Sequence, residues 1–280
     1  EVFFGSKIPF VNLRMNYRNH RKIMVVDAKV AYLGGFNIGD EYLGKGELGE
    51  WRDTHMKIEG NAVLTLQSRF FMDWNAVAKE KNRKDYAEAY FPIADKKGNT
   101  AMQIVASGPD DEDQTIKMGF LKMISQAKES IYIQTPYFIP DESLHEMLKI
   151  AVLSGVKVKI MIPSKPDHPF VYRATEYFAK DIVEYGAEVY MYQNGFLHSK
   201  VMVVDDEIVS VGTANMDVRS FKLNFEINAF IYDRDVAEEL IANFDEDQKN
   251  CIRATHDYFA KQSKWRKFKQ AFSRLLSPIL

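Results

Sequence analysis

Two histidines, His20 and His198, are each followed after two residues by a lysine, Lys22 and Lys200, and after seven by an aspartate, Asp27 and Asp205. Alternate side chains of an extended strand share a face, so each imidazole would stand beside an ammonium group. A phosphodiester needs a nucleophile at phosphorus, a proton for the departing alkoxide, and positive charge where the non-bridging oxygens gain it. Two His-Lys pairs facing each other supply all three without a metal. Asn37 and Asn215, each 17 residues after its histidine and just past a glycine-containing turn, can donate further hydrogen bonds to the phosphate oxygens.

The spacing recurs because the segments are copies. Between 20–37 and 198–215, at a constant offset of 178, 8 of 18 positions are identical: His, Lys, Met, Val, Val, Asp, Gly and Asn. A lone His-x-Lys is usually incidental, but a duplicated one with its Asn is not. Each imidazole also needs a carboxylate on its other nitrogen to fix the tautomer. Glu226 lies 28 residues after His198; the offset lands on Leu48 in the first copy, but a short insertion containing Gly44, Gly46 and Gly49 separates that position from Asp53. The expectation is therefore Asp53 for His20 and Glu226 for His198. Asp27 and Asp205 end apolar runs and read as buried carboxylates bracing the next turn, although the repeat counts them among the catalytic set.

The elements that must carry these residues read as α/β. Helical patterns at 115–127, 143–154 and 174–184 alternate with strand-like runs at 131–134, 156–162 and 189–192, followed by buried strands at 201–204 and 208–211. The stretch 79–99 is polar, with Pro92, Gly98 and a run of charges, and reads as a surface connection. Two domains are expected, 1–100 and 101–280. Residues 1–4 resemble the run at 188–191, so the first copy would lack a counterpart of 104–187, and an N-terminal truncation is expected. Val63, Leu66, Phe70, Trp74 and Val77 recur at helical spacing as core; His145 reads as a helix-surface residue and His55 as solvated or satisfied. A net charge of −2 gives no global attraction to polyanions, so no nucleic-acid partner is expected, and Cys251, the only cysteine, excludes an intrachain disulfide.

His-x-Lys, four residues, Asp, then Gly-x-x-Asn, twice in one chain, resembles the signature of the phospholipase D superfamily. The flanks Asn16–Lys22, Gly34–Tyr42, Trp51–His55, Thr135–Phe138, Pro166–Pro169 and Asn215–Ser220 resemble its bacterial cardiolipin synthase branch. The resemblance implies two α-β-α repeats with mixed sheets packed face to face, the first incomplete. It implies a phosphatidyltransferase without cofactor that joins two phosphatidylglycerol molecules into cardiolipin and glycerol through a phosphatidyl-histidine, with His20 chosen as nucleophile. It also implies a bacterial cell membrane location, with N-terminal transmembrane helices absent from this chain. The alternatives are a hydrolase or nuclease of the same superfamily, or an inactive lipid-binding fragment. His168, in Pro-Asp-His-Pro, would line the lipid entrance by the same resemblance.

Between Thr255 and Leu280 six Lys or Arg stand against one Asp, and Trp265, Phe268, Phe272, Leu275 and Leu276 recur among them at helical spacing. This is the pattern of an interfacial helix meeting anionic lipid, with Lys264, Trp265, Lys267 and Phe268 as the contacts. The competing expectation is a terminal helix whose aromatic side docks on the second domain.

Overall fold

The computed structural model describes Phe3, residues 16–93 and residues 95–277. The strand-like start at 1–4 lies, Phe3 apart, outside the described residues. In chain order the first copy gives β1 (Ile23–Val26), β2 (Val30–Gly34), β3 (Trp51–Arg52), β4 (His55–Glu59) and α1 (Ala62–Val77). The remainder gives β5 (Ala101–Ser107), α2 (Thr115–Gln126), β6 (Ser130–Gln134), β7 (Phe138–Ile139), α3 (Glu142–Leu153), β8 (Lys157–Pro163), α4 (Pro169–Glu184), β9 (Glu188–Tyr192), β10 (Phe196–Leu197) and β11 (Val201–Val204). It closes with β12 (Ile208–Gly212), β13 (Met216–Asp217), α5 (Val218–Lys222), β14 (Glu226–Tyr232), α6 (Arg234–Gln248), β15 (Cys251–Arg253), α7 (His256–Ala260) and α8 (Lys264–Leu275). Helix α4 starts five residues before its expected 174 because Pro169 occupies its first position, where a missing N–H costs nothing.

The second copy forms a mixed sheet in the order β15-β9-β8-β6-β11-β12-β14-β5, with β6, β8 and β9 mutually parallel. The first copy forms an antiparallel sheet β1-β2-β4. Both copies keep one register. Ile23 pairs with Leu33 as Val201 pairs with Val211, 178 residues on. Gly34 then faces His55, whereas Gly212 faces Asn228, an offset of 173; the first copy therefore carries five extra residues before this strand, which is the glycine-rich insertion. Asp53 and Glu226 stand two residues before these partners, so they occupy equivalent positions.

The sheets face each other across a shared core of Ala31, Leu33 and Ile58 from one and Val201, Val203, Val209, Val211, Ile227 and Ile231 from the other, closed by Val63 and Leu66 of α1. Each such aliphatic side chain contributes roughly 1.5–3 kcal/mol when fully buried. Alternation then separates the copies. Met202 and Val204 point into a second core beneath the helices, whereas their counterparts Met24 and Val26 are exposed. In α1, Phe71 and not Phe70 is buried: Phe71 packs against Tyr86, Tyr90 and Phe91 of the connection, which folds back over the helix. His145 is likewise buried, not on the helix surface, because its Nε2–H donates to Asp181 at 2.7 Å.

Candidate active site

Neither His-x-Lys lies inside a strand; each directly precedes one, β1 or β11, and the backbone there is claimed by the other copy. The N–H of His20 donates to the carbonyl of Phe225 at 2.9 Å, and the N–H of His198 to the carbonyl of Arg52 at 2.8 Å. The segments before them run parallel in the same way: Asn19 bridges Phe225, and β10 pairs with β3. Phe225 and Arg52 are each followed at once by a carboxylate. Each histidine is thus seated against the carboxylate of the opposite copy.

The side chains complete the exchange. Nδ1–H of His20 reaches both oxygens of Glu226 at 2.9 Å, and Nδ1–H of His198 donates to Asp53 Oδ2 at 2.7 Å. This reverses the expected partners, Asp53 for His20 and Glu226 for His198. The positions were equivalent as expected, but repeat equivalence describes each copy alone and carries no information on how the copies clasp. With Nδ1 committed, Nε2 is left as the reactive nitrogen of each ring.

Both ammonium groups bend back to the carbonyl of their own histidine, Lys22 Nζ to His20 O at 2.7 Å and Lys200 Nζ to His198 O at 2.5 Å. Burial pushes Lys22 down to about 8 and Lys200 down to about 7, against the pull of Asp53 and Glu226 on both. The two lysines therefore lie in the field of both carboxylates, which makes one site of the two copies. Burial, with Lys200 and Lys22 beside it, pushes His198 down to about 3 in spite of Asp53. Burial alone would raise Glu226, but the His20 and Lys22 charges and the Thr213 hydroxyl outweigh it and hold the carboxyl below its usual range. Asp53 is held low, against its burial, by His198 and Lys200. The side chain of His20 is 26% exposed and that of His198 7%.

Asn215 is buried in the cluster, its amide donating to Asp217 at 3.2 Å while its Oδ1 has no partner. Asn37 lies exposed in the loop after β2. Asp27 and Asp205 do not join the site. Each opens a hairpin turn in which two successive residues have positive φ, Asp27-Ala28 and Asp205-Asp206, a conformation that aspartate tolerates better than most. Seven residues of near-extended chain put roughly 20 Å between such a turn and its histidine. Asp205 braces not the turn after its own strand, as expected, but the connection between α2 and β6, accepting from the N–H groups of Lys128, Glu129 and Ser130 at 2.7–2.9 Å; it is only half-buried, and Asp27 is exposed.

Residues 120–248 match the family described as "Cardiolipin synthase, PLD-like domain". The chain is 57% identical over 279 residues to the cardiolipin synthase of Listeria welshimeri, covering 99% of this chain and 58% of the relative. It is 56% identical over 281 residues to that of Staphylococcus aureus, covering all of this chain and 57% of the relative. The matched region is a phospholipase D-like domain. The chain spans a little over half the length of these curated relatives. A solved phosphatidylserine synthase from Haemophilus influenzae shares the fold, with a TM-score of 0.70 at 16% identity over 94% of this chain and 71% of that one.

Within this phospholipase D-like site several supporting residues carry no signal in the repeat. Tyr42, in the loop just before the glycine-rich insertion, donates to Asp53 Oδ2 at 3.2 Å and lies 2.9 Å from His198 Nδ1. Thr213 donates to Glu226 Oε2 at 2.5 Å, and Asn224 to Oε1 at 3.1 Å. A hydroxyl thus meets each carboxylate, but from unrelated positions. Thr213 corresponds to Gly35, where a Cβ would fall 2.1 Å from Asp53 Oδ1, so the first copy must bring its hydroxyl from elsewhere. Arg21 spreads one guanidinium over Asp73 of α1 (2.7 and 2.9 Å), the carbonyl of Ser107 and the carbonyl of Glu226 (both 3.0 Å). Arg52 pairs likewise with Asp247 of α6 and donates to the carbonyl of Asp53 at 2.5 Å. Trp51 lies against His198, ring centroids 5.0 Å apart. His55 is half-buried, its Nδ1 accepting from the N–H of Phe36 at 3.3 Å.

Proposed function

We propose that this chain carries the catalytic core of a bacterial cardiolipin synthase, transferring phosphatidyl from one phosphatidylglycerol to another at a membrane surface. The observation that carries the reading is the pair of crossed His-carboxylate dyads with both lysines between them, on a chain 57% identical to cardiolipin synthases. His198 is buried and neutral, so it is ready to attack without first losing a proton, and it takes the role of nucleophile; His20, more open and hydrogen-bonded to Glu226, takes that of acid and base. This inverts the order expected from the sequence, in which nothing separates the two.

Nε2 of His198 bonds to phosphorus while the bond from phosphorus to the glycerol oxygen breaks. The imidazolium of His20 gives its Nε2 proton to that oxygen, and glycerol leaves. The terminal hydroxyl of a second phosphatidylglycerol then returns a proton to His20 and attacks phosphorus, releasing cardiolipin and restoring His198. Glu226 and Asp53 hold the tautomers and stabilise each ring as it becomes positive. Lys22, Lys200 and the amide of Asn215 supply positive charge and hydrogen bonds to the oxygens of the transferring phosphate, and Asn37, exposed in the loop after β2, is a further candidate donor.

Phosphatidylglycerol labelled in its phosphate and head-group glycerol, supplied in vesicles or mixed micelles, tests this. One glycerol should appear per cardiolipin. Phosphatidic acid as the only lipid product would make the chain a hydrolase, and cleavage of an oligonucleotide would make it a nuclease. With His20→Ala, release of glycerol and formation of cardiolipin should both fall by several orders of magnitude, since the departing alkoxide and the incoming hydroxyl both exchange their proton with that ring.

A further inference from the structure

Helix α8 is seated inside out. Its polar side faces the protein: Gln270, 2% exposed, donates to Glu176 Oε2 at 3.2 Å and Gln262 Oε1 at 2.8 Å, Ser273 is buried, and Arg266 pairs with the fully buried Glu176 of α4. Its apolar side faces outward. Trp265 (65% exposed), Phe268 (58%), Phe272 and Leu275 fall within about 80° of arc at 100° per residue. Trp265 stacks on Phe268 at 5.4 Å, and Phe170 at the start of α4 joins them around an open cleft of about 360 Å³. Lys264 and Lys267 flank the stripe on one side and Lys269 on the other, its ammonium 5.8 Å from the Trp265 ring. Docking of the aromatic side on the second domain, the competing expectation, is therefore not what holds this helix.

Here the geometry points to an anionic bilayer surface as the occupant: the stripe enters the boundary between headgroups and acyl chains while the flanking ammonium groups meet lipid phosphates. A protein partner that covers aromatics does not require cations on both flanks, whereas an anionic interface rewards both at once. The surface also adjoins the site. Asp167, two residues before α4, accepts from the hydroxyl of Tyr137, which burial, Asp167, Asp217 and Tyr42 together hold protonated, and Tyr42 lies on His198. Only this placement beside the catalytic mouth rests on the proposed synthase; the docking surface stands on the helix.

The test is flotation of the purified chain with vesicles, read alongside Trp265 emission, on a His198→Asn background so that turnover does not enter. Phosphatidylglycerol-containing vesicles should bind the chain, shift its emission to the blue and, when brominated near the headgroup, quench it; Trp265→Phe should remove the shift but retain binding. Lys264→Glu with Lys267→Glu, and separately Phe268→Ser with Phe272→Ser, should each weaken binding more than about tenfold with the unfolding curve unchanged. Unshifted emission, undiminished binding by both double variants, or a lipid-free dimer that buries Trp265 would overturn the proposal. With His198 restored, cardiolipin made in micelles by a chain that does not bind vesicles removes the surface alone; vesicle binding without cardiolipin removes the synthase alone.

Discussion

Lys200 shows how far single residues are held from their ordinary state. Its ammonium is fully buried, pushed down to about 7 by desolvation, so the folded chain releases a proton that the unfolded chain keeps. The sign follows: with the folded value below the unfolded one, this group's contribution to stability rises as pH climbs from about 7 towards 10. Lys200→Met should therefore raise the melting temperature at pH 7 by several degrees while turnover falls by more than about a thousandfold; a fall in both would mean that the lysine is structural. With substrate bound, the cationic forms of Lys22 and Lys200 are the useful ones, so kcat/KM should decline on the alkaline side with an apparent pKa near 7–8, measured as a pH–rate profile. Tyr42→Phe removes one hydroxyl from the Asp53–His198 pair and should lower kcat roughly 10- to 100-fold with little effect on folding. Tyr42 was not legible from the repeat, because its counterpart at the 178-residue offset is Ser220, which shares no side-chain chemistry that would single out a tyrosine.

Elements carry the positioning. Strand runs and helices of the second copy were readable because both periodicities are strong there, and the register of β2 on β4 recovers the five-residue insertion that the spacing of Asp53 implied. Which carboxylate meets which histidine was not readable. That depends on parallel pairing between β3 and β10 and on the bridge from Asn19 to Phe225, contacts between copies that no periodicity within a copy encodes. Asp27 and Asp205 misled for the opposite reason: the repeat preserves them for turn geometry, and repetition alone does not distinguish a turn from a catalyst. Arg21 ties α1, β5 and β14 behind Glu226, and its loss would leave Asp73 buried beside Arg69 alone. Arg21→Ala should cost about 3–5 kcal/mol in denaturant unfolding, whereas Arg69→Ala, which removes the outer member, should cost much less.

In the whole molecule the two copies are unequal supports for one symmetric site. Strand β11 is covered on both faces and flanked by β6 and β12; among the described residues β1 is flanked by β2 alone, and Met24 and Val26 face solvent. Hydrogen exchange should therefore be slowest in β11, β12 and β14 and orders of magnitude faster in β1, and equal protection would contradict this picture. Among the described residues no helix is long and apolar enough to cross a membrane, and the exposed stripe of α8 is the surface proposed to meet lipid. All of this rests on the exchange of histidines and carboxylates between copies. Proton NMR of the imidazole Nδ1–H resonances at low field reads that exchange directly, once each is assigned by its histidine variant. Asp53→Asn should shift or abolish the His198 resonance and leave that of His20 in place, and Glu226→Gln should do the reverse; an Asp53→Asn that moves His20 alone would contradict the crossed site.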